Sequence, residues 1–261
     1  MKRSTTSSLA SRVSSLAGVV AVGFACSDNT ATPTPPDGST SDRPTVNCTN
    51  RPPFETGSAE GAATPLTVPA GAVRAGRLAM ADLPTDRTGL STWKAGDYVL
   101  ANERIAVMIE AARPSSLYDP WGGMPVGVAR MESGRMTAPA DFNEFIFGLG
   151  RYTVATDSVT VLRDGTQGQS AIIRASGPMR PIPFIEEFGR ALAPTDYMDV
   201  RAAIDYELAP GAEHVDVYAT FDTTNESGYS VRLLLNAFFQ GYRMERFFPG
   251  AGFLRTGEAG N

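Results

Sequence analysis

Residues 199–240, DVRAAIDYELAPGAEHVDVYATFDTTNESGYSVRLLLNAFFQ, decide the fold class of this chain. Apolar side chains alternate with polar ones at a period of two, which is the pattern of a β-strand buried on one face. The first strand places one set of residues inward: Val200, Ala202, Ile204, Tyr206 and Leu208. The opposite set is predicted to be in water: Arg201, Ala203, Asp205 and Glu207.

Two further strands follow in the same stretch. Pro210-Gly211 forms a turn, after which Val215, Val217, Ala219 and Phe221 alternate with a predicted outer set: His214, Asp216, Tyr218 and Thr220. Residues 225–228 form the next turn, and residues 229–239 become apolar on both faces, as a central strand does. The short connections predict an antiparallel meander.

Composition supports an all-β protein. The chain has 261 residues, 42% of them hydrophobic, with 26 glycines and 19 prolines. Its net charge of −5 argues against nucleic acid as a partner, because phosphate binding requires a basic surface. Two cysteines without a CxxC pair and one histidine leave no zinc-binding set, and no cofactor motif is present.

Residues 1–25 have the pattern of an export signal peptide, with basic residues followed by the short apolar run 16–25. Gly23-Phe24-Ala25-Cys26 resembles the lipobox of bacterial lipoproteins, which implies lipidation of Cys26 and a membrane anchor; Gly23 departs from the usual aliphatic residue. Cleavage by an ordinary signal peptidase, giving a secreted protein, is the alternative. Ser27 favours the outer membrane by resemblance to the enterobacterial sorting pattern.

Residues 26–65 are rich in Ser, Thr, Pro and Gly, and they predict a disordered tether. Cys48 lies within the tether; it has no partner if Cys26 is lipidated, and it could form a disulfide with Cys26 otherwise. Residues 66–261 are predicted to form the β-sandwich domain. The absence of a strand pattern in residues 251–261 suggests a domain truncated at its C-terminus.

Two more hairpins are predicted, at residues 96–110 and 158–176, and prolines in residues 178–198 exclude a long helix. Between the hairpins lies Trp121-Gly122-Gly123. One interpretation is a ligand loop in which Tyr118 and Trp121 stack on a sugar; the alternative is a tight turn with Trp121 in the core. The carboxylates of Asp141 and Glu144 suit acid/base work or a hard cation, although the neighbouring phenylalanines favour a core segment.

Residues 90–255 resemble the galactose mutarotase-like supersandwich domain of large secreted bacterial proteins. The resemblance is carried by GDYVLANERIAVMIE, PWGGMPVGVAR and LNAFFQGYRMERFFPGAGF. It implies two antiparallel sheets with a concave side facing carbohydrate. Active mutarotases use a Glu base and paired histidines; here His214 stands alone, so the resemblance does not carry over that catalysis.

The candidate ligand-binding residues other than Tyr118 and Trp121 lie on one predicted sheet face, opposite the Trp121 loop: Arg201, His214, Asp216, Tyr218 and Arg232. A plain solvated face is the alternative interpretation. No catalytic residue is assigned.

Three functions are compatible with these patterns. The first is a non-catalytic envelope domain that binds a polysaccharide or another envelope protein. The second is a carbohydrate-active epimerase or lyase. The third is an N-terminal fragment of a larger protein whose enzymatic domain lies elsewhere.

Overall fold

A computed structural model describes residues 54–142, 144–198, 200–222, 234–239, 245–248 and 252–255. Strands far outnumber helices among these residues and form two antiparallel sheets, so the predicted all-β sandwich is confirmed. Cys26, Cys48 and Arg232 lie outside the described residues. Within those residues, no helix is both long and apolar enough to cross a bilayer.

The first sheet is a five-stranded meander in chain order. Its strands are β1 (Val73–Arg77), β2 (Tyr98–Asn102), β3 (Ile105–Ile109), β4 (Pro125–Glu132) and β5 (Arg135–Asp141). The predicted hairpin at residues 96–110 is confirmed, with Tyr98 opposite Ile109 across β2 and β3.

Both faces of this first sheet are covered. Its inner face packs on the second sheet, and its outer face lies under the connection between β1 and β2, which contains the 3-10 turn Met80–Asp82 and the fully buried Trp93. Every residue of β2 and β3 is therefore buried. At Gly127 of β4, a Cβ atom would lie 2.3 Å from Trp93 Nε1, so only glycine admits the indole there.

The second sheet has the order β11-β10-β9-β7-β6-β12, with β8 pairing β9 beyond the end of β7. Its strands are β6 (Glu144–Leu149), β7 (Tyr152–Val154), β8 (Ser158–Arg163), β9 (Ala171–Pro181), β10 (Arg201–Leu208), β11 (Asp216–Phe221) and β12 (Leu234–Phe239). A short helix, α1 (Glu186–Leu192), follows the 3-10 turn Pro183–Ile185 between β9 and β10. The predicted hairpin at residues 158–176 is confirmed, with Val161 opposite Ile173.

The three-strand meander predicted for residues 199–240 is wrong in one pairing. β10 and β11 form the expected hairpin, with Tyr206 opposite Val217. β12, however, pairs β6, with Leu235 opposite Gly148, at the far edge of the sheet from β11. β13 (Glu245–Phe248) and β14 (Gly252–Arg255) form a separate hairpin, so a strand does occur within residues 251–261.

The inward set of β10 is confirmed, and the outward set is corrected. Val200, Ile204 and Tyr206 belong to the core between the sheets. Ala203 and Asp205 were predicted to be in water, yet each is only 1% exposed. The face of the second sheet away from the core is therefore covered in the middle of β10, at Ala203 and Asp205.

Residues 54–62 form a strap that joins the two sheets. Ser58 and Val161 of β8 exchange both backbone hydrogen bonds, at 2.9 and 2.8 Å. Four residues further on, the Ala62 N–H donates to Ala75 O of β1 at 2.9 Å, and the Tyr98 hydroxyl donates to Ala59 O at 2.9 Å. Composition assigned these residues to the disordered tether, so the predicted domain boundary at residue 66 is too late.

Candidate functional site

The residues predicted to form one site lie in two separate places. His214 belongs to the connection between β10 and β11, which lies against the turn between β2 and β3. Asn102 Nδ2 of that turn donates to Ala209 O at 3.1 Å and to Ala212 O at 2.8 Å. His214 is exposed, in a bend before the strand to which the sequence assigned it, and its Nε2 lies 3.8 Å from Asp216 Oδ1.

Arg201 lies at the opposite end of the same hairpin. Asp216 faces Glu207, and Arg201 is six residues away from Glu207 along β10, or about 20 Å at the rise of a strand. Arg201 makes an ion pair of 3.3 Å with Asp157, and both side chains are about half exposed. Arg201 and Asp216 therefore share a sheet face without forming a cluster.

The middle of that face holds a buried ion pair. Arg174 Nε and Nη2 donate to the two carboxylate oxygens of Asp205 at 2.6 and 2.8 Å. Tyr218 is half-buried and lies directly opposite Asp205 on β11. The interpretation of this face as plainly solvated is corrected, because its central charges are shielded from water.

The Trp121 loop, residues 110–124, connects β3 and β4 and contributes an exposed ring. Trp121 itself is half-buried, whereas Tyr118 is exposed. The Tyr118 ring lies 4.6 Å from that of Phe184, and the Phe184 ring lies 6.3 Å from that of Phe188. Ring contact thus joins the predicted loop to the segment around α1.

Five large apolar side chains along this loop and the α1 segment are between 43% and 81% exposed. We call them the apolar end surface: Tyr118, Phe184, Phe188, Leu192 and Met198. Soluble proteins seldom expose a contiguous apolar patch without a binding role.

Helix α1 is responsible for most of this surface. Phe184, Phe188 and Leu192 recur every four residues, which places them along one side of the helical segment. Glu186 has the opposite orientation and forms ion pairs with Arg151 at 3.3 Å and with Arg190. The helix therefore turns a carboxylate toward the domain and its rings outward, the reverse of the usual amphipathic arrangement.

Arg151 fixes this orientation. It is 4% exposed, and it donates to Ala193 O at 2.5 Å and to the hydroxyl of Tyr152 at 2.9 Å. The Tyr152 hydroxyl in turn donates to Asp196 Oδ1 at 2.9 Å. Burial, together with the hydrogen bond to Asp196, raises the pKa of Tyr152 to about 12. The backbone N–H of Met198 is the main cause that lowers the pKa of Asp196.

The Trp121 loop is fixed by buried carboxylates. Arg113 makes ion pairs with Asp97, which is fully buried, and with Glu110 at 3.0 Å. Burial raises the pKa of the Glu110 carboxyl above its ordinary value, and the opposing effect of Arg113 is smaller. Asp119 accepts hydrogen bonds from Thr153 Oγ1 at 2.8 Å and from the Trp121 N–H at 3.2 Å.

A glycine completes the base of the loop. Gly122 has φ +74°, and a Cβ atom there would lie 2.4 Å from Ala111 O. The Gly-Gly pair thus serves the tight turn, and of the two predicted stacking rings Tyr118 is the exposed one. The sequence offered stacking and core packing as alternatives for Trp121, and its half-buried position lies between them.

Of the two acidic candidates, Asp141 has a structural partner. Asp141 is buried and accepts a hydrogen bond from Thr92 Oγ1 at 2.9 Å, in keeping with the core interpretation of that segment. Across the described ranges, no three His, Cys, Asp or Glu side chains are grouped as metal ligands are.

A concavity of about 360 Å³ lies between the strap and the turn that joins β8 to β9. Its walls mix polar and apolar groups, with Ser58, Gln167 and Gln169 beside Val161 and Leu162. Arg163 on its wall already pairs with Glu207 at 3.0 Å.

Comparison of this chain with protein families, with curated proteins and with solved structures finds no match. The resemblance to the galactose mutarotase-like supersandwich therefore stays a prediction made from its residues. The candidate site is therefore defined by its geometry alone.

Sequence reasoning missed four of the five residues of the apolar end surface: Phe184, Phe188, Leu192 and Met198. The four-residue spacing of the first three was present in the sequence and could have predicted a short helix with one apolar side. The prolines nearby indicate chain breaks instead. Even so, the spacing predicts burial of that side, so its exposure follows only from the tertiary structure.

Proposed function

We propose that this chain is an exported, lipid-anchored envelope protein whose β-sandwich is a binding domain without catalytic activity. The lipobox-like Gly23-Phe24-Ala25-Cys26 and the polar composition of residues 27–53 support export, anchoring and a tether. The β-sandwich is then the part of the protein that binds a ligand, and the lipid is the part that anchors it.

One observation carries the binding function, namely the apolar end surface. The residues that the α1 segment contributes are held outward by buried polar contacts of Arg151, so their exposure does not come from a loose segment. Water-exposed phenyl rings on a fixed scaffold lower the free energy of the protein only when a ligand covers them.

Co-sedimentation with envelope fragments of the producing bacterium tests this proposal. The chain from Ser27 onward, which keeps every described residue and carries no lipid, is expected to sediment with fragments that contain both membrane and wall glycan. Phe184→Ser combined with Phe188→Ser is expected to abolish this. Met80→Ser is the matched control, because Met80 is 65% exposed and lies outside the surface. Sedimentation that is absent, or equal for all three proteins, would refute the binding function.

A further inference from the structure

We propose that the apolar end surface docks onto a lipid bilayer, with the rings of Phe184 and Phe188 in the boundary between headgroups and acyl chains. This inference rests on the proposed function and names the partner of the same surface. Two features of the described residues, together with the predicted tether, favour a bilayer over a glycan or a protein groove.

The first feature is the orientation of the rings. The planes of Tyr118 and Phe184 are tilted by 40°, and those of Phe184 and Phe188 by 83°. A glycan chain lays its flat sugar faces on rings that share a plane, and neither of these contacting ring pairs does. Leu192, at 81% exposure, and Met198 extend the surface without any ring. The surface is a set of apolar side chains set at different angles rather than a flat platform.

The second feature is the distribution of polar groups. Several polar groups beside the surface are engaged with the domain: Glu186 with Arg151 and Arg190, and the Arg180 guanidinium with Met198 O at 3.0 Å, whereas Glu187 is exposed. A sugar site requires convergent hydrogen-bonding groups that face the ligand. A bilayer instead accepts apolar side chains that bring no polar atom with them, because an unpaired polar atom is costly in hydrocarbon.

The position of the predicted tether favours the same partner. On the proposed function, Cys26 carries the lipid, and residues 27–53 separate it from the strap. The tether that their composition predicts would span roughly 30 Å, which keeps the domain within reach of the membrane surface. The lipid on Cys26 is then the first contribution to membrane binding, and a weak apolar contact of the domain is the second. The tether strengthens this contact because it raises the effective concentration of the domain at the membrane.

Vesicle co-sedimentation with the chain from Ser27 onward tests the inference. The probes are vesicles of phosphatidylcholine, with and without phosphatidylglycerol. The native chain is expected to bind both, and the partition coefficient is expected to fall about tenfold for each ring replaced by serine. Phe188→Leu should restore most of the binding lost in Phe188→Ser, and Met80→Ser should bind as the native chain does. Circular dichroism of each variant establishes that it is folded.

Fluorescence locates the contact. In Phe188→Trp, lipids brominated on the acyl chains should quench the new indole, whereas bromide in solution should lose access to it once vesicles are added. Quenching by bromide alone, or no quenching, would overturn insertion. The variant Met80→Trp, outside the surface, should show the reverse pattern.

The remaining outcomes separate this inference from the proposed function. If the native chain binds envelope fragments and purified wall polysaccharide but no vesicles, the bilayer inference fails and the binding function stands. If light scattering shows a dimer that Phe188→Ser dissociates, a second copy covers the surface and the inference also fails. If neither envelope fragments nor vesicles bind, both proposals fail.

Discussion

Arg174 on β9 and Asp205 on β10 form a two-point ion pair, with N–O distances of 2.6 and 2.8 Å, and each side chain is only 2% exposed. The two residues are directly opposite each other in the antiparallel register. Thr160 of β8 and Tyr218 of β11 extend the same row across four strands. The strap also reaches it, since Arg174 Nη1 lies 3.4 Å from Glu55 O.

Removal of one partner from this pair should be costly. Asp205→Asn leaves the guanidinium of Arg174 buried without a counter-charge, and we expect the free energy of unfolding to fall by about 3–5 kcal/mol. Urea denaturation measures the change. Asp157→Asn, which breaks the half-exposed pair with Arg201, should cost less than about 1 kcal/mol. Equal losses in the two variants would contradict the argument from burial.

The free energy of unfolding should depend on pH through Glu110. Its folded pKa is raised by burial, so above the ordinary carboxyl range the folded state keeps a proton that the unfolded state has lost. The stability due to this group is therefore greatest at low pH and declines as pH rises through the raised pKa. In Glu110→Gln this decline should be missing, as measured by denaturation at a series of pH values.

The exposed Glu187 provides the control for this pH series. Glu187→Gln is the matched variant, because it makes the same chemical change at an exposed side chain. A native slope in Glu110→Gln would show that another group titrates.

The strap should behave as part of the sandwich and not as tether. The N–H of Ser58 donates to Val161 O at 2.9 Å, and proline has no N–H to donate. We expect Ser58→Pro to lower the free energy of unfolding by about 3 kcal/mol. Ser39→Pro, in the stretch whose composition predicts a tether, should leave it unchanged. Thermal denaturation that fails to distinguish the two variants would place the strap outside the folded core.

Lipid attachment should depend on one cysteine. If Cys26 is the lipidated residue, cells fed labelled palmitate should label the native chain and Cys48→Ser, but not Cys26→Ser. The label is read by gel autoradiography, which is independent of any membrane affinity of the domain. Label retained in Cys26→Ser would exclude the lipobox interpretation and leave plain secretion.

Part of the candidate site could be predicted because it depends on local sequence. Tyr118 was identified from a Pro- and Gly-rich loop that displays aromatic residues, and it is exposed. His214 and Arg201 were grouped because alternation assigns a face but gives no position along the strand. The pairing register of β10 and β11 shows that they lie at opposite ends of one hairpin.

The outward orientation of Phe184 and Phe188 illustrates the limit of pattern reasoning. Helical spacing identifies which side chains share a side, and the usual expectation is that an apolar side is buried. Here the buried Arg151 needs a carboxylate, and Glu186 can supply it only when α1 turns its rings away. That requirement comes from a residue 35 positions earlier, beyond any local window.

The sequence by itself determined three β-hairpins, β2–β3, β8–β9 and β10–β11, because side-chain alternation and turn residues act between neighbours in the chain. Only the tertiary structure decided that β12 pairs β6 and that residues 54–62 join the sheets. It also decided that Asp205 is buried and that Phe188 is exposed. These outcomes depend on which distant surfaces cover one another, and burial is a property of the assembled layers.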